Sequence, residues 1–399
     1  MATEQTERSE PMANMPAQLP SLTGLRWVAA FMVFVSHVLY LPTAVPKGAV
    51  GEMINTGVAL AGYVGVSVFF VLSGFVLTWS SRTNDTAPKF WRRRFFKIYP
   101  NHFVAFLIAV VFVLWMGEKV GFAPLDDQFP GLIPQVLLLH AWLPDLEAAF
   151  AFNTVSWTLS VEAVFYLCFP LLLLAVNKIR PERLWYWVGG LVLLVFCIPQ
   201  VANLISDGGG DAAYLGLSSW EYWFIYVLPV TRMPEFVLGI LLARMVLTGR
   251  WIKVPLWLAG VLFAAGYLVT LNVPMAYAIV AATIIPIVLL IPAAATADIN
   301  GRRRSLMSRP VMVWLGNISY AFYLVHLFSI ILILYIIGME NFQARSWLDT
   351  VGFFTAALAI SILVSWALYE LVERPMQRRF ATKRKPSVNP RSEKADISP

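Results

Sequence analysis

Arg26 and His37 bracket a stretch, Trp27 to Ser36, that is almost entirely apolar. On an α-helix an offset of eleven residues is close to three turns, so both side chains share one face about 16 Å apart along the axis. Ionisable groups in hydrocarbon are expensive and mark functional cavities, and histidine is the side chain best suited to move a proton near neutral pH. Three further sets could work with this pair: Glu162 at the end of Trp157-Thr-Leu-Ser-Val-Glu162, His326 after Asn317-Ile-Ser-Tyr-Ala-Phe-Tyr323, and the basic group Arg93, Arg94 and Lys97. A carboxylate or a second imidazole beside His37 would orient it as a general base or shuttle its proton. Structural roles compete with each of these. A lone intramembrane histidine could bond across to a neighbouring helix as packing glue. Glu162 could neutralise a buried cation such as Arg232, and Arg232 could instead pair with Glu235, three residues on along one helical face. The Arg92 to Arg94 cluster is a topology signal as well as a candidate phosphate site. His102 and His140, near opposite membrane boundaries by this reading, are expected to be interfacial structure, and Trp91, Trp142 and Trp220 belt anchors.

The elements that must position these residues are membrane helices. Of 399 residues, 59% are hydrophobic and 13% charged, whereas a soluble domain carries about 25% charge. The first twenty residues hold Glu4, Glu7, Arg8 and Glu10 and no apolar core, so the run from Leu25 reads as a retained helix rather than a cleaved signal. Cys168 and Cys197 lie inside apolar runs and read as small hydrophobes; no zinc or haem spacing is present.

Windows long enough to span a bilayer occur near 22–41, 60–79, 98–116, 157–176, 184–203, 222–246, 255–272, 275–293, 311–337 and 350–371. These predict an all-α polytopic membrane protein of about ten transmembrane helices. Pro274 and Pro286 interrupt the seventh and eighth windows. The shorter amphipathic run Leu132 to Leu143 predicts an interfacial or re-entrant segment. Loops after even-numbered windows are basic, with Lys89 and Arg92 to Arg94, Lys178 to Arg183, Arg244 to Lys253, and Arg302 to Arg309. Loops after odd-numbered windows carry mostly Asp and Glu. The positive-inside rule then puts both termini in the cytoplasm. Residues 1–20 and the basic, Pro-rich 377–399 are expected to be disordered cytoplasmic extensions of a membrane domain over 21–376. This orientation sets Arg26 at the cytoplasmic mouth of the first helix and His37 in the outer half. Counted inward from the outer surface, Glu162 and His326 are expected at the depth of His37.

Several motifs occur in order along the chain: Leu22-Thr-Gly-Leu-Arg26 with His37, Gly65-Val-Ser-Val-Phe-Phe-Val-Leu-Ser-Gly74, Arg93-Arg94-Phe-Phe-Lys97-Ile-Tyr-Pro100, Trp157 to Glu162 with Phe165-Tyr166 and Pro170, Ser319-Tyr320 with Tyr323-Leu-Val-His326, and Glu373-Arg-Pro375. Together, over about residues 20 to 376, they resemble the acyltransferase 3 family of integral-membrane O-acyltransferases. The opening Leu19-Pro-Ser-Leu-Thr-Gly-Leu-Arg26 is similar to the branch that acylates macrolide antibiotics or their sugars. The resemblance implies a ten-helix plasma-membrane enzyme with no resident cofactor. It takes an acyl group from acyl-CoA as co-substrate and passes it to a hydroxyl on a sugar or macrolide; no nucleic acid is implied. It also implies that Arg26 and His37 are the essential pair. Two positions depart from the pattern: Thr23 stands where the family often has Asp, and Lys97 where it often has a second Arg. Lys still offers charge to a phosphate, without the planar bidentate fork. On this reading His37 is the base, with Glu162 or His326 behind it, while Arg26, Arg93, Arg94 and Lys97 hold coenzyme A phosphates about 16 Å away, within the reach of a pantetheine arm. A cell-envelope polysaccharide is the other acceptor the reading admits. A proton-coupled transporter is the rival from another class, since intramembrane Arg, His and Glu suit it too.

Overall fold

Apolar runs of membrane-spanning length, several of them opened by a proline, dictate the architecture. The computed structural model describes residues 16, 18–41, 44–81, 85–117, 125–206, 216–301, 305–338 and 342–381. Its principal helices are α1 (Pro20–Leu39), α2 (Ala61–Trp79), α3 (Ala87–Met116), α4 (Leu125–Val136), α5 (Trp157–Lys178), α6 (Leu184–Ile205), α7 (Pro229–Leu247), α8 (Leu256–Thr270), α9 (Ile284–Ile299), α10 (Pro310–Ile337) and α11 (Trp347–Leu368). Among the described residues no strand is present, and nine segments are long and apolar enough to cross a membrane; α8, in the seventh window, is apolar but shorter, at 15 residues. The protein is an all-α, multi-pass membrane protein. Proline opens α1, α3, α7 and α10, where its missing N–H costs nothing.

The centre of the bundle is α1, α2, α7 and α10. Contact between α2 and α7 is backbone on backbone: a Cβ at Gly74 would collide with the Phe236 carbonyl, and one at Gly239 with the Val71 carbonyl. Small residues at helix crossings are how packing, rather than hydrophobicity, holds helices together in lipid. Helices α1 and α10 run parallel and equally close, with Gly316 seated against the Thr23 carbonyl. That pairing brings the two histidine-bearing helices together.

Three local expectations are revised, and the re-entrant alternative holds for 132–143. The eighth span begins at Ala281 rather than 275, because the chain makes one helical turn after Pro274, breaks at Val280, and restarts with Pro286 in the first turns, where no backbone donor is needed. The segment 132–143 folds back into the bundle through α4 and a short turn at His140–Trp142. Consequently His102 and His140 are not at opposite boundaries: His102 Nε2 meets the Gln135 carbonyl at 2.9 Å, His140 Nδ1 faces the neighbouring Pro134 carbonyl at 3.4 Å, and both rings are buried. The C-terminal helix does not stop at 376. Beyond α11 it winds through wide π-type turns at Tyr369–Glu373 and Gln377–Ala381 around Pro375. The expected N-terminal extension up to residue 15, the arginines at 302–304 and the tail from 382 lie outside the described residues.

Candidate active site

Helix α10 delivers His326 against His37 of α1, ring nitrogen to ring nitrogen, with His326 Nε2 2.8 Å from His37 Nδ1. The rings stack at 5.1 Å between centroids. Backbone geometry assigns the protons. His326 Nδ1 lies 2.8 Å from the Tyr323 carbonyl and 3.2 Å from that of Phe322, and only an N–H can face two carbonyl oxygens. Its Nε2 is therefore the unprotonated acceptor, and the proton between the rings sits on His37 Nδ1. By elimination, neutral His37 carries its lone pair on Nε2. His326 is fully buried, walled by Phe34 and Phe322, while His37 is only half-buried. One imidazole is locked in place by the fold, and the other is left basic at its far nitrogen and reachable.

Toward the opposite end of α1 lies a cavity of about 210 Å³ lined by α1, α2, α3, α5, α10 and the C-terminal helix. Arg26, Arg94 and Lys97 converge on it, facing Glu162 and Glu373. Among the described residues neither Arg26 nor Lys97 has a hydrogen bond or ion pair. The Arg94 guanidinium lies over the Phe90 and Tyr166 rings at 5.6 and 5.8 Å, with its Nε unpartnered. The two carboxylates, by contrast, are held. Glu162 accepts from the Tyr166 hydroxyl and from Ser73 at 3.4 Å. Glu373 accepts from Asn101 at 2.8 Å and Gln377 at 2.9 Å. With carboxylates ionised, three cations face two anions, so the cavity keeps one positive charge in excess, on side chains free to take an anionic ligand.

The structure therefore divides the expected residues. It brings His37 to His326 and Arg26 to Arg94 and Lys97. It does not bring Glu162 to His37: Glu162 sits in the cation-lined cavity, acting electrostatically on Arg26. The physical reason is that α5 starts inside the bundle. The preceding chain has already folded inward, Trp157 is 5% exposed, and Glu162 lies more than a turn further toward Arg26. Arg93 points away from the cavity, ion-paired with Asp85. Tyr166, Tyr320 and Tyr323 lie within the ordered motifs without an expected role, and Asn101 and Gln377 carry no signal that singles them out from sequence. Glu373 does, as a carboxylate at the end of an apolar run. Arg232 and Glu235 pair with each other at 2.9 Å, both fully buried, rather than Arg232 pairing with Glu162.

The sequence profile of the acyltransferase 3 family, described as an acyltransferase domain, matches residues 19–370. Acyltransferase MdmB of Streptomyces mycarofaciens is 41% identical over 378 residues, covering 94% of this chain and 95% of that protein. Peptidoglycan O-acetyltransferase OatA of Listeria monocytogenes is 27% identical over 198 residues, covering 44% of this chain and 28% of that protein. O-acetyltransferase OatA of Staphylococcus aureus is 24% identical over 258 residues, covering 61% of this chain and 37% of that protein. No solved structure matches.

Proposed function

The chain belongs to the acyltransferase 3 family, and from that membership we propose that it moves a short acyl group from acyl-CoA to a hydroxyl of a macrolide-type natural product or its sugar. The observation that carries this reading is the hydrogen-bonded imidazole pair with an unprotonated His37 Nε2, joined along one helix to a cavity of unpaired cations. Arg26, Arg94 and Lys97 hold the coenzyme phosphates, and the pantetheine arm runs along α1 toward His37. The acceptor hydroxyl gives its proton to His37 Nε2 as its oxygen bonds to the thioester carbonyl carbon. His326, accepting from His37 Nδ1–H, steadies the imidazolium that forms. The tetrahedral oxyanion then collapses, the C–S bond breaks, and the same proton passes from His37 to the coenzyme sulfur, leaving ester and free thiol. Glu162, held by Tyr166 and Ser73, acts electrostatically on Arg26 across the cavity.

The macrolide-type acceptor rests on the opening motif and on the full-length similarity to an acyltransferase of Streptomyces. A cell-envelope glycan is the second reading, favoured by the partial similarity to peptidoglycan and other O-acetyltransferases. The basic loops favour both termini in the cytoplasm. Detergent-solubilised protein supplied with labelled acyl-CoA should transfer the label to a macrolide acceptor. His37→Ala should lower that rate by about 10² to 10⁴ while leaving folded protein. Near-normal turnover by the variant would remove His37 as the base, and activity confined to sealed vesicles would point to transport.

A further inference from the structure

The cavity and the histidine pair do not meet openly: neither His37 nor His326 lines the cavity, whose deep end is closed by Phe69 of α2, Tyr323 of α10 and Thr158 of α5. Tyr323 is the partition. Its ring lies 6.0 Å from that of His326 on one side and 5.9 Å, edge-on, from Phe69 on the other. The two closing aromatics are held very differently. Tyr323 is fixed by its hydroxyl, which donates to the Val155 carbonyl at 3.1 Å and accepts from Thr158 at 3.0 Å. Phe69 has no polar tether, is half-buried, and packs on both hydrophobic clusters, that of the cavity wall and that around Trp27, Phe34 and Phe322 beside the histidines.

Resting on the acyl-CoA reading above, we propose that Phe69 is the specificity-determining residue for the acyl group, its ring setting how large a group can pass from the cavity to His37. A thioester anchored at Arg26, Arg94 and Lys97 must bring its carbonyl carbon past this constriction to be attacked. Val66, Phe70, Leu72 and Leu159 supply apolar lining to this cavity, while the hydroxyls of Ser73, Thr158 and Tyr323 are committed to Glu162, the Val155 carbonyl and each other. Such a lining accepts an alkyl chain. Because Tyr323 cannot turn without losing two buried hydrogen bonds, the opening is made by Phe69 turning aside. The space it yields fixes the size of acyl group accommodated.

The experiment compares kcat/KM for acetyl-, butyryl- and hexanoyl-CoA in the wild-type protein and in Phe69→Ala, Phe69→Leu and Phe69→Trp. Inhibition by free coenzyme A serves as the measure of donor anchoring. Since a methylene in a hydrophobic pocket is worth about 10- to 200-fold in discrimination, Phe69→Ala should raise the hexanoyl-to-acetyl ratio by at least about tenfold. Phe69→Leu should raise it less and Phe69→Trp should lower it, all with coenzyme A inhibition unchanged. Ratios that stay put in any variant that turns over would overturn the assignment to Phe69. Should Phe69→Ala be inactive with every donor, the Leu variant decides on the same ratio. A wild-type protein that consumes none of the three donors would instead overturn the acyl-CoA reading itself.

Discussion

Two arginines inside this bundle have opposite fates. Arg232 on α7 is sealed: it pairs with Glu235 at 2.9 Å, bonds Ser67 at 3.1 Å, and is sandwiched between the Phe70 and Tyr226 rings at 5.1 and 5.0 Å. Two of its guanidinium nitrogens have no hydrogen-bond partner, so the flanking rings supply what water would. Arg26 on α1 opens instead onto the cavity that Phe70 helps to line, and its neighbouring carboxylates are committed to Tyr166, Ser73, Asn101 and Gln377. The difference teaches that burial of charge in a membrane does not by itself mark function. A cation whose charge is spent inside the protein holds helices together, and one whose charge is kept available can take an anionic ligand.

That contrast can be broken experimentally. Removing one partner of a buried ion pair leaves an uncompensated charge, so Arg232→Met should destabilise the protein by about 3–5 kcal/mol, seen as a large fall in Tm in detergent. Adding Glu235→Leu should recover most of the loss, since the apolar pair needs no charge balance. Arg26→Ala should do the reverse, leaving Tm nearly unchanged while raising the KM for acyl-CoA by about 10- to 100-fold, the worth of one charge-assisted hydrogen bond of about 1.5–3 kcal/mol. If Arg26→Ala lowered Tm as Arg232→Met does and left KM alone, the two sites would be the same kind of structure.

A smaller effect is expected from the re-entrant segment, whose buried polar groups are neither sealed charges nor open ones. Burial pushes the His140 imidazole down from the ordinary 6.5 to about 4. The ring stays neutral in the folded protein, between the Pro134 carbonyl and Ser156. Below about pH 6.5 the unfolded chain binds a proton that the folded protein refuses. Stability is therefore full above that pH and is lost as the pH falls toward 4. A Tm series between pH 7 and 4.5 should show this decline, and His140→Gln should flatten it; equal slopes would assign the acid sensitivity elsewhere.

Much of the site was legible because helix geometry is local. Eleven residues on one helix must put Arg26 and His37 on one face, whatever else the chain does. The ordered motifs then indicated the family and drew attention to Glu162, His326, Arg94 and Lys97. The apolar windows predicted nearly every span, missing chiefly where a proline shifted a start, as at Ala281, or where a helix continued past an expected end, as at Gln377.

Amino-acid order by itself determined that this is a multi-pass helical membrane protein with an arginine and a histidine on one face of its first helix, since hydropathy and periodicity depend only on near neighbours. Tertiary structure alone decided the partners. Depth counted along a chain assumes that each helix begins at the membrane surface, and the inward-folded segment before Trp157 breaks that assumption, moving Glu162 from His37 to Arg26. Pairing across helices, His326 to His37, was set by close α1–α10 packing, which no spacing within one helix encodes, whereas the Arg232–Glu235 pair follows the i,i+3 spacing along α7.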